Sequence, residues 1–148
     1  MSTPEFEHKP SLKQAVIFLI HEDGKILLEK RLNPGKSYSG RIIIPGGKVE
    51  IDQNETPEQA VIREIREECK VEPTKLTLLD TFEDVTPGLN HYLFTAYLVT
   101  DYQGKIENNE PEKSGHMWVE LSSAKNFVNF ASSRYVLLLA EKYLTRKD

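Results

Sequence analysis

A chain of 148 residues, 39% hydrophobic and 28% charged, can bury a sizeable core and has the composition of a soluble globular domain, not of a disordered or membrane-spanning one. Its net charge of −4 and pI near 5.6 argue against general attraction to nucleic acid or anionic lipid. An anionic substrate would therefore need a metal ion or local Lys and Arg, and the single cysteine, Cys69, excludes an internal disulfide and fits a reducing compartment.

Residues 1–10 hold no hydrophobic signal-peptide segment and read as a loose leader, ahead of one domain over 11–148. No run reaches transmembrane length, so the expected address is the cytoplasm. Leu12–His21 is β-rich, Asp23-Gly24 is a hairpin signal, and Ile26–Arg31 reads as the returning strand. A Gly-, Pro- and Ser-rich loop follows, then a short strand, Arg41–Ile44, entering a Pro45-Gly46-Gly47 turn. Beyond the central helix, Lys75–Asp84 and Tyr92–Thr100 read as strands, Tyr102–Gly115 as polar and irregular, and His116–Leu121 as a strand carrying Trp118. Tyr92 and Phe94 share one strand face and Tyr97 takes the other; all three read mainly as core, with base stacking open to one or two of them. Ser132–Leu144 closes the chain as an amphipathic helix. Strands flanking two helices imply a sheet covered by helices.

The central helix carries the chemistry. Thr56 suits the N-cap, Pro57 the first helical position and Glu58 the positive end of the dipole, and no Gly or Pro interrupts the run before Pro73. At roughly 100° per residue, Val61, Ile62, Ile65 and Cys69 form the core stripe, while Glu64, Glu67 and Glu68 gather on another face. Acids spaced i, i+3, i+4 repel unless cations sit on them. By itself such a cluster reads as a solvated helix face. Behind a turn with close-approach glycines, it also suits Mg²⁺ or Mn²⁺, which take oxygen ligands and can activate water for attack at phosphorus.

Residues 45–71 resemble the Nudix box, G-x5-E-x7-R-E-U-x-E-E-x-G-U with U aliphatic. Arg63, Glu64, Ile65, Glu67, Glu68 and Val71 match, and seven residues separate Glu55 from Arg63 as the motif requires. Two positions depart from it: seven residues rather than five lie between Gly47 and Glu55, an insertion placed within Ile51–Asn54, and Lys70 stands where the family has Gly. The resemblance implies a Nudix α/β/α sandwich with a mixed sheet and a Mg²⁺-dependent hydrolase, with Mn²⁺ as the alternative ion. It implies Glu64, Glu67, Glu68 and a backbone carbonyl around Gly47 as metal ligands, and a Glu55–Arg63 pair that tethers the loop to the helix. Arg31 is, by the same resemblance, a phosphate contact or else a strand-end surface cation, and Lys48 a surface charge or a second phosphate contact.

Many Nudix triphosphatases carry an acid in the loop before a Trp-containing strand, as metal ligand or general base. Glu112, six residues before Trp118, fits that place, with Glu110 in reserve and a plain surface loop as the alternative. Glu67 is the first choice of general base and Glu112 the second. The implied reaction is hydrolysis of a nucleoside diphosphate linkage: first a nucleoside triphosphate, oxidised or non-standard ones included, going to monophosphate and pyrophosphate. A nucleotide sugar is the runner-up, and a non-catalytic nucleotide sensor on the same fold is the reading from another class. The partner is then a small nucleotide, not nucleic acid or membrane. A homodimer is left open, since relatives often form one.

Overall fold

The computed structural model describes residues 12–32, 39–86 and 88–146; the expected leader over 1–10 lies outside them. Strand β1, Lys13–Glu22, decides the layering, because its side chains alternate between two faces. Val16, Phe18 and Ile20 pack with Val61, Ile65 and Cys69 of helix α1, Pro57–Cys69. Leu19 points the other way and packs with Val136, Leu137 and Ala140 of helix α3, Ala131–Thr145. Helices thus cover both faces of the sheet.

The Asp23-Gly24 turn has both residues at positive φ, 54° and 76°, the type I′ geometry whose twist matches a tight hairpin into β2, Lys25–Arg31. The remaining elements are β3 (Ile42–Ile43), β4 (Gly46–Lys48), β5 (Glu72–Val85), β6 (His91–Gln103), β7 (Ser114–Glu120) and a short helix α2 (Leu121–Ala124). The main path of the sheet runs β3-β2-β1-β6-β5, with β4 also paired to β1 and β7 to β2. β1 and β6 are parallel and the other pairings antiparallel, so the sheet is mixed.

Several boundaries differ from the sequence expectation. Gly46–Lys48 is not a turn but a strand, set antiparallel to Ala15–Ile17. Glycine is disfavoured in strands, so local preference pointed away from this one; the close approach of other groups there requires it. The expected Arg41–Ile44 strand shrinks to Ile42–Ile43. β6 runs on to Gln103, and β7 begins at Ser114, both inside the stretch expected to be irregular. The inserted residues form a 3-10 turn, Ile51–Gln53, closed by Asn54 at φ 60°. Tyr92 and Phe94 sit together, ring centroids 5.6 Å apart, with Phe82 stacked on Phe94; Tyr97 is in the core under α1. Among the described residues no helix is long and apolar enough to cross a membrane.

Candidate active site

Helix α1 is fixed at both ends. Thr56 accepts from Gln59 N at 3.1 Å while the Gln59 side chain accepts from Thr56 N at 2.9 Å, a reciprocal cap that satisfies two orphan donors. At the other end Lys70 adopts φ 61°, the left-handed cap the family's glycine would take more cheaply. The chain after β6 returns to this end: Glu107 N donates to the Cys69 carbonyl, and Asn109 donates from N to the Glu68 carbonyl and from Nδ2 to that of Glu67. These bonds answer carbonyls the helix leaves unpaired. They also bring residues 107–110 beside the helix acids.

Arg63 gathers three of the acids. Its Nε and Nη2 donate to the two oxygens of Glu55 at 2.7 and 3.0 Å, a bidentate fork. Its Nη1 donates to Glu64 at 2.9 Å and to Glu67 at 3.2 Å, and Nη2 also to the Lys48 carbonyl at 2.9 Å. Glu55 in turn accepts from Glu50 N at 2.9 Å. The loop insertion therefore leaves the pair intact, because the extra residues are absorbed in the 3-10 turn upstream. The Arg63 guanidinium bound to Glu55 holds that carboxyl below its ordinary range, and Glu55 raises Arg63 in return. Gly47 is pressed against the same cluster: a Cβ there would stand 2.1 Å from Glu64 Cδ, so only glycine lets β4 and the Glu64 carboxylate meet.

Glu68 is treated differently. It lies beside Glu64, Glu29 and Glu110, and no salt bridge to it is found among the described residues. Burial, a hydrogen bond to Glu64 and repulsion by Glu29 push its carboxyl up to about 10. Glu29 is only 3% exposed, and burial raises its carboxyl too. It accepts from Arg31 Nη1 at 3.3 Å, which sets Arg31 beside the acids. Motif reasoning passed over Glu29. The signal was strand parity: Leu27 and Glu29 point to the same face of β2, and Leu27 is buried under α1.

Of the two acids before Trp118, the structure sets Glu110 near Glu68 and Glu29 and leaves Glu112 exposed. The reason is the turn between them: Lys113 N and Ser114 N both donate to the Glu110 carbonyl, so Glu110 lies at the base of the turn and Glu112 further out along it. The preference for Glu112 over Glu110 is thus reversed in position. Lys48 is exposed at the end of β4, next to Gly47. His91 pairs with Glu83 at the surface, and His116 is half-buried across from Glu29 on β7, lowered by its burial. A cleft of about 680 Å³ opens beside Glu58, Gln59 and Ile62 on the far side of α1 and contains none of Glu64, Glu67 and Glu68.

Among the described residues no three carboxylate, imidazole or thiol side chains stand in an arrangement that would by itself hold a metal ion. A hydrated divalent ion such as Mg²⁺ brings positive charge and O–H donors together. A buried carboxylate oxygen without a donor, on Glu29, and an acid without a counter-cation, Glu68, are the features such an ion would answer.

The NUDIX domain model matches residues 10–139. The chain belongs to the Nudix family, as a MutT-like hydrolase. An 8-oxo-dGTP diphosphatase of Proteus vulgaris is 38% identical over 86 residues, 57% of this chain and 74% of its own length. The 8-oxo-dGTP diphosphatase of Escherichia coli K12 is 32% identical over 116 residues, 78% of this chain and 87% of its own. The crystal structure of a MutT Nudix hydrolase from Burkholderia pseudomallei superposes with a TM-score of 0.73 at 27% identity, covering 88% of this chain and 98% of that one.

Proposed function

We propose that this chain is a Mg²⁺-dependent pyrophosphohydrolase, with Mn²⁺ the alternative ion, that cleaves a nucleoside triphosphate into monophosphate and pyrophosphate, and that oxidised or non-standard bases are the substrates it favours. The observation that carries the reading is the excess of acid at Glu68, Glu64, Glu29 and Glu110, with Arg31 held beside it by Glu29. The names carried by its relatives, 8-oxo-dGTP diphosphatases, support the choice of substrate.

A bound divalent ion would be held by Glu64, Glu67, Glu68 and the Gly47 carbonyl, with Glu110 or Glu112 from the loop, and supplies charge for the phosphate oxygens and a more acidic water. The protein's own groups do the rest. Arg63 fixes Glu64 and Glu67 in relation to the loop, so their carboxylates are placed before substrate arrives. Glu67 has a side chain 56% exposed, and accepts the proton of the attacking water as general base. Arg31, with a side chain 30% exposed, and Lys48 bind the phosphate chain. The water oxygen bonds to the α or the β phosphorus as that phosphorus loses its bond to the α–β bridging oxygen, and monophosphate and pyrophosphate separate.

The test is hydrolysis of a panel of common and oxidised nucleoside triphosphates, nucleotide sugars and dinucleoside polyphosphates with Mg²⁺, products separated by ion exchange, and Glu67→Gln alongside. Monophosphate plus pyrophosphate from triphosphates, with turnover lowered about a hundredfold or more in Glu67→Gln, is the expected result. Turnover of nucleotide sugars alone would replace the substrate assignment. Normal turnover in Glu67→Gln would remove Glu67 from the chemistry.

A further inference from the structure

We infer that Glu29 is a further acid of the cation site, reaching it from strand β2 and lying outside the helix motif altogether. The inference rests on the metal-dependent reading above. Strand parity puts Glu29 on the α1 face, one inward position beyond the fully buried Leu27 and one before Arg31. From there it lies beside Arg31 and Glu110 and acts on the Glu68 carboxyl. Its side chain is 96% buried, yet only one oxygen is answered: Oε2 accepts from Arg31. The other, Oε1, is wholly buried and has no hydrogen-bond partner; the Ser114 side chain also faces the carboxyl but makes no hydrogen bond to Oε1.

A glutamate kept only to orient Arg31 would be expected to sit among donors, because a desolvated carboxylate oxygen without one is costly. Glu29 does have Arg31 and the Ser114 side chain beside it, but it also lies next to Glu68 and Glu110, and its Oε1 is left without a donor. A hydrated divalent ion removes both costs at once, since it brings positive charge to the acids and O–H donors to the free oxygen. Glu29 then does two things with two oxygens. It holds Arg31 beside the acids, and it adds to the negative charge that retains the ion.

The experiment is Mn²⁺ binding to the full-length protein without nucleotide, read from the electron paramagnetic resonance signal of the free ion. Wild type, Glu29→Gln, Glu68→Gln and Arg31→Gln are compared, with thermal melting to confirm folding. Glu29→Gln is expected to weaken Mn²⁺ about tenfold, the range found when supporting groups of a metal site are removed, and Arg31→Gln is not. Should the glutamine variant fail to fold, Glu29→Asp, which draws the carboxylate back by one methylene, is expected to show the same loss. Wild-type Mn²⁺ affinity in the folded Glu29 variant, while Glu68→Gln weakens binding, overturns the inference and leaves the metal reading standing. A raised KM for nucleotide in Glu29→Gln with Mn²⁺ binding unchanged overturns it as well, in favour of a role through Arg31 alone. Absence of Mn²⁺ binding in the wild type defeats the metal reading itself, and Glu29's part with it.

Discussion

Two groups of carboxylates flank helix α1, and the same residue type behaves in opposite ways in them. Around Arg63, Glu55, Glu64 and Glu67 share one guanidinium, and Glu55 is held ionised below its ordinary range. Towards β2, Glu68 faces other acids and Glu29 is buried beside Arg31, and both are raised, Glu29 because burial outweighs the Arg31 charge. Desolvation and the sign of the nearest charge decide this, not the identity of the side chain. In the first group one guanidinium ties three carboxylates into the fold. The second is left for something positive to complete, which is how binding sites differ from scaffolding.

The sharpest way to break the contrast is at the point where the groups meet, Glu64 against Gly47. In Gly47→Ala the new Cβ would overlap the Glu64 carboxyl, and that carboxyl is the flexible end of a side chain, so it yields and moves. Turnover is expected to fall about a hundredfold, since a displacement of about 1 Å at a reacting site costs that much, while the melting temperature changes little. Equal losses of activity and melting would show that the glycine serves packing only. Arg63→Ala removes the shared cation from three acids at once. It is expected to destabilise the protein by about 1–3 kcal/mol and to cut turnover about tenfold or more, measured by denaturant unfolding and by steady-state rates. Unchanged values in both would dismiss the tether.

A smaller effect separates the two groups by pH. Glu55 has a lowered carboxyl, so its contribution to stability is present above its unfolded value near 4.5 and is lost as pH falls through the lower folded value. Glu68 has the opposite sign. Its contribution is present below 4.5 and is lost as pH rises towards about 10. In chelator, melting temperature is therefore expected to fall between pH 6 and 9, the fall being flatter in Glu68→Gln and in wild type given Mg²⁺. Glu55→Gln should instead flatten the loss on the acid side. The same slope in wild type and Glu68→Gln would refute the account of the β2-side acids.

Much of this was legible along the chain. Thr56, Pro57 and an unbroken run to Cys69 mark the helix by local chemistry alone, and the apolar spacing marks which side is buried. The acids at 64, 67 and 68 and their arginine are close in sequence, so helical geometry suffices to bring them together. The Asp23-Gly24 hairpin is likewise local. Where the reading fell short, non-local contact was deciding. β4 is a strand because β1 and Glu64 close on glycines that local preference assigns to a turn. Glu110 rather than Glu112 meets the acids because the loop is pinned to the end of α1 and to the start of β7.

The sequence by itself determined the helix, its cap, its acidic face and the family's motif, since each depends on residues within a few turns of one another. Only the tertiary structure decided how those acids divide. Arg63 can balance Glu55 because a loop folds back across the helix, and Glu29 joins Glu68 because a separate strand delivers it. Charge balance in a site is a sum over neighbours in space, and the chain order does not record which neighbours those are.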